Sequence, residues 1–178
     1  MPEGEAPRRL RQVNLLVGSH LTLGDVEELA DLVHGMGLTA VVLPDLSGSL
    51  DGHVPDGHVA TSLGGTPLAD IAAMGRSVLT LAIGSQMTGA AEALQRRTGV
   101  PFRLFDHVTG LAASDALVAA LMEAGGEVSP RLKRERSRLL DAMLDGHFPF
   151  DGKRCAVAAE PDLLLALTEL LAGMGAQV

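Results

Sequence analysis

The chain has 178 residues, 47% of them apolar, with 14 basic against 22 acidic side chains for a net charge of −8. That length supports a substantial core in one domain or a little more, while the charge opposes phosphate backbones and the lack of Trp and Tyr removes the platforms on which bases stack, so nucleic acid is excluded as a partner. No apolar run reaches the roughly 18 residues that cross a bilayer, and the opening MPEGEAPRRLRQ is too polar for a signal peptide, which points to a cytoplasmic protein with no membrane partner.

After a polar N-terminal extension, residues 1–12, the first apolar run is VNLLV (13–17). Thr22 with Asp25 three residues on forms a capping box, and Val26, Leu29, Leu32, Val33 and Met36 make one apolar stripe closed by Gly35 and Gly37, so a helix follows the first strand. TAVVLP (39–44) is the second strand, and a helix starts after GGTP near Pro67. VLTLAI (78–83) precedes a helix over Met87 to Arg97, and FRLF (102–105) precedes one from about Ser114 to Glu123. Pro130 suits the first position of a connecting helix that continues to Asp145 and stops at Gly146. CAVAA (155–159) is the last expected strand; the helix after it carries Leu163, Leu164, Leu167, Leu170 and Leu171, a stripe too apolar to stay in water.

Strands apolar at successive positions must be covered on both faces, which predicts an α/β fold: a Rossmann-like, doubly wound parallel sheet between helix layers. One internal similarity sharpens the organisation. ELADLVHGMGLTAVV (28–42) reads like LALTELLAGMGAQV (165–178), an apolar helix, a shared GMG and the start of a strand. The expected division is a Rossmann-like domain over 13–128, a connecting helix within 129–150, and over 151–178 the first strand–helix unit of a further, truncated domain, as in a fragment of a longer protein.

Few residues carry chemistry on their own. The chain has no G-x-G-x-x-G after a strand, no G-x-x-x-x-G-K-[ST] and no G-x-S-x-G. Gly84, Ser85 and Thr88 could face an anion or simply form a strand-to-helix turn. In the loop 45–65, Asp45, Asp51, His53, Asp56 and His58 fit no known metal spacing, and a solvated interface loop is expected. His20, His34 and His107 stand alone and read as structural histidines. A lone Cys155 cannot hold an iron–sulfur cluster that needs several thiolates, so it reads as a small buried hydrophobe, and no catalytic or cofactor-binding residue is expected. The basic run Arg131, Lys133, Arg134, Arg136 and Arg138 reads as a solvated or interface helix face. Beyond it lie Asp141 and Asp145 in LLDAMLDGHF, one turn apart. They are either the ion-paired end of a helix, with Arg138 against Asp141, or two oxygen ligands of a divalent metal ion. A carboxylate in a last turn faces the negative end of the helix dipole, which favours a cation beside Asp145.

VGSHLTLGDVEEL, VLPDLSGSLDGH, GGTPLADIAAMGRS, RTGVPF, R-x-R-L-L-D-A-M-L-D-G-H-F, GKR and AEPDLLLAL, in this order, resemble the nitrogenase component 1 superfamily. Within it they are most similar to the branch that assembles the iron–molybdenum cofactor. The resemblance implies a scaffold subunit working with an E-type partner subunit and a second copy of itself in a heterotetramer. It implies an iron–sulfur cluster and an iron–molybdenum cofactor precursor for that complex, held outside this segment. It also implies that Asp141 and Asp145 match a D-x-x-x-D that helps bind a metal between two copies of the nitrogenase β subunit. The alternatives are a catalytic relative, either that β subunit or a light-independent protochlorophyllide or chlorophyllide reductase subunit, and a free-standing small-molecule-binding Rossmann module.

Overall fold

The computed structural model describes residues 11–46, Gly57 and 64–178. Asp51, His53, Asp56, His58 and most of the N-terminal extension lie outside the described residues. Four strands, β1 (Gln12–Val17), β2 (Thr39–Leu43), β3 (Leu79–Ile83) and β4 (Phe102–Phe105), form one parallel sheet in the order β2-β1-β3-β4. Register is set by pairs such as Leu15 with Val42 and Leu81, and Leu81 with Arg103. The helices are α1 (Leu23–Gly35), α2 (Leu68–Ala73), α3 (Thr88–Thr98), α4 (Leu111–Glu123), α5 (Pro130–Phe150) and α6 (Pro161–Gly173). The expected doubly wound architecture is present.

The central strands bury every residue because helices cover both faces. On one face Leu15, Leu81 and Ile83 pack with Leu29, Val33, Leu117 and Leu121 of α1 and α4. On the other, Leu16 and Ala82 pack with Met74 and with Ala91 of α3. Full burial of each large aliphatic side chain contributes about 1.5–3 kcal/mol. The polar residues inside β1 and β3 are satisfied together. Asn14 Nδ2 donates to Thr80 Oγ1 at 3.0 Å and to the Met74 carbonyl at 3.1 Å, Ser77 Oγ donates to Asn14 Oδ1 at 2.7 Å, and Gln12 Nε2 donates to Ser77 Oγ at 2.8 Å.

The GMG similarity is structural. At the end of α1, Gly37 adopts φ +76° and Leu38 N donates to the Val33 carbonyl at 3.1 Å; at the end of α6, Gly175 adopts φ +85° and Ala176 N donates to the Leu171 carbonyl at 3.0 Å. Both are Schellman-type stops that need a left-handed residue, which glycine supplies without a Cβ clash.

Three expectations need correction. Residues 155–159 form no strand: among the described residues a single parallel bridge joins Arg154 to Gln177. The helix from Pro130 does not stop at Gly146 but runs to Phe150, with Leu132, Met143, Gly146 and Phe150 as its half-buried inner side. Gly146 is a half-buried position inside the helix, and a Cβ there would stand at an ordinary contact distance, 3.6 Å, from Met174 Sδ just beyond α6. Finally, the expected stripe is only partly covered: Leu163 and Leu164 are 51% and 37% exposed, while Leu167, Leu170 and Leu171 are half-buried beside the buried Ala166.

Candidate functional site

In the order β2-β1-β3-β4 the chain leaves β1 toward one edge and β3 toward the other, so the loops after these two strands diverge and leave a crevice at the sheet's carboxyl edge. Its floor is made by glycine. A Cβ at Gly18 would lie 2.3 Å from Gln86 Nε2 and 2.8 Å from His20 Nδ1, and one at Gly84, where φ is +98°, would lie 2.6 Å from Gln86 Oε1 and 2.7 Å from His20 Cε1. Both glycines make room for the pair His20–Gln86, whose Nδ1 and Nε2 are 2.8 Å apart.

Helix α6 crosses this crevice. Asp162 Oδ2 lies 3.6 Å from His20 Nδ1, and Glu169 Oε2 lies 3.1 Å from Nε2 of His107, in the loop after β4. His107 is nine-tenths buried and its Nδ1 has no hydrogen-bond partner, so Glu169 is its one polar contact. Between α1, α4, α5 and α6 remains a cleft of about 1490 Å³ that Ser19, His20, Gln86, His107, Arg131 and Asp162 help to line. His20 and His107 are hydrogen-bonded, in keeping with structural histidines, while His34 is exposed on α1 and shows no such contact among the described residues. No spacing in the sequence links either histidine to the carboxylates that meet it.

The Gly84, Ser85 and Thr88 segment is a plain turn. Ser85–Met87 is one 3-10 turn, and Thr88 Oγ1 donates to the Ser85 carbonyl at 2.6 Å, which uses the hydroxyl locally. Of the acidic loop, Asp45 is described, and its backbone N–H donates to Thr66 Oγ1 at 3.1 Å.

Asp141 and Asp145 are both exposed on α5, one turn apart on the side opposite Met143 and Phe150. Arg131 pairs with Glu135 at 2.8 Å, which raises the guanidinium's pKa, first through that hydrogen bond. Arg136 makes a two-pronged contact with Asp115 of α4 at 2.6 and 2.7 Å; the hydrogen bond from Arg136 holds the Asp115 carboxyl below the ordinary aspartate value. Among the described residues no ion pair joins Arg138 to Asp141, so the salt-bridged helix end is not formed. Because α5 continues to Phe150, Asp145 also lies more than a turn before the helix end, where the dipole penalty has faded. Pro149 has no N–H to donate to the Asp145 carbonyl four residues back. Among the described residues no set of three His, Cys, Asp or Glu gathers as metal ligands.

The family model for nitrogenase component 1 type oxidoreductases matches residues 2–178. The chain belongs to that family. It is 48% identical to a protein of Bradyrhizobium diazoefficiens named nitrogenase iron-molybdenum cofactor biosynthesis protein NifN, over 99% of this chain and 38% of that one. Proteins of the same name from Rhodobacter capsulatus and a Nostoc species are 48% and 38% identical, over 95% and 96% of this chain and 37% and 38% of their own length. Among solved structures, one titled "Nitrogenase Cp1 at pH 6.5" superposes with a TM-score of 0.86 at 32% identity, over 97% of this chain and 37% of that one. The chain thus spans about 38% of the length of the curated relatives it matches. The family's fold extends across both the sheet and the α5–α6 arm, since the superposition takes in nearly the whole chain.

Proposed function

We propose that this chain is the middle part of a scaffold subunit on which the iron–molybdenum cofactor of nitrogenase is assembled, and that it contributes fold and subunit contact rather than catalysis. The observation that supports this most is the 38–48% identity to proteins named for that biosynthesis along almost the whole chain, against 32% to the solved nitrogenase chain. In this reading residues 13–128 are one α/β domain, 129–150 the connection, and 151–178 the opening of a further domain, whose first parallel contact is Arg154 with Gln177. An iron–sulfur cluster does not fit this segment: Cys155 is the one thiol, and such clusters take several thiolate ligands. The cluster and the cofactor precursor are held by other parts of a heterotetramer formed with an E-type partner subunit.

The test is a chimera in which this chain replaces the corresponding stretch of the Bradyrhizobium diazoefficiens relative, in cells lacking their own copy. Maturation of active nitrogenase is expected. A chimera that assembles with its partner yet matures none contradicts the scaffold reading.

Within this function Asp141 and Asp145 supply half of a metal site shared with a second copy. Both carboxylates are exposed, free of ion pairs and one turn apart, which suits two oxygens of one hard divalent ion; such an ion takes about six ligands, so water and the second copy complete the set. The charge order of α5, basic from Arg131 to Arg138 and acidic at Asp141 and Asp145, favours an antiparallel partner of the same sequence. In the full-length complex D141N/D145N is expected to lose a bound divalent ion and weaken assembly. Unchanged metal content and assembly state together would remove the metal role.

A further inference from the structure

No further inference is drawn: the strongest candidate, the acidic cleft between α1, α4, α5 and α6 beside the buried, unpartnered Nδ1 of His107, carries nothing, because its Asp25, Glu135 and Asp162 are already engaged by Thr22, Arg131 and His20 and nothing in the structure shows that nitrogen facing a ligand.

Discussion

Strand β1 buries all six of its residues, whereas α5 buries none of its 21. The two regions are held by different forces. The sheet is tied down from both faces by aliphatic side chains and from within by the Gln12–Ser77–Asn14–Thr80 hydrogen bonds. The α5–α6 arm is tied by Arg136 to Asp115, by the His20–Asp162 and His107–Glu169 pairs and by a thin apolar contact through Leu132, Ala166 and Leu170, and it turns Leu144 and Phe148 outward at 68% and 81% exposure. A helix with an apolar outer stripe and no buried residue gains little from its own domain. Under the scaffold reading proposed above, that stripe is where the larger assembly would pack.

That contrast can be broken at graded points. The largest effect is expected from Leu81→Ala at the centre of β3, where the side chain is fully buried: a loss of about 2–5 kcal/mol in urea unfolding. Leu144→Ala on α5 removes the same atoms and should stay within about 0.5 kcal/mol of the parent; equal losses would erase the distinction. Gly84→Ala should cost about 1–3 kcal/mol, since φ is +98° and the new Cβ collides with Gln86 and His20. Asn14→Leu should cost about 1–3 kcal/mol by removing the buried amide that donates to Thr80 Oγ1 and accepts from Ser77 Oγ. The smallest effect is at Asp115. Its carboxyl is held below the ordinary value by Arg136, so the stability it adds is present at neutral pH and is lost as pH falls through its lowered folded-state value. Asp115→Asn should flatten that acid limb, and a carboxyl titration of Asp115 followed by NMR should place its midpoint below that of an exposed aspartate.

The sheet was legible because its physics is local. Continuous apolar runs at 13–17, 39–44, 78–83 and 102–105 name strands covered on both faces, and Thr22 with Asp25 forms both halves of the expected capping box. The GMG at 173–175 announced a second helix stop of the same kind as the one at 35–37. What failed depends on contacts between distant segments. CAVAA is as apolar as the true strands, yet a strand requires a ladder partner, and among the described residues the segment meets one bridge, Arg154 with Gln177. Gly146 looked like a helix stop, yet the helix runs on to Phe150, and the side chain nearest it, Met174, comes from beyond α6, which no local pattern reveals. His20 and His107 looked isolated since their carboxylates come from a helix that begins beyond residue 160. For Asp141 and Asp145 the one-turn spacing was readable and is realised on α5, while the ligands that would complete a site belong to other surfaces.

The central claim is that the outer face of α5 is a contact surface waiting for the rest of the assembly. Hydroxyl-radical footprinting of Leu144 and Phe148, in this chain alone and in the full-length assembled complex, tests it most directly. The account predicts ready oxidation of both in the chain alone and a several-fold drop in the complex. Equal oxidation in the two states would contradict it.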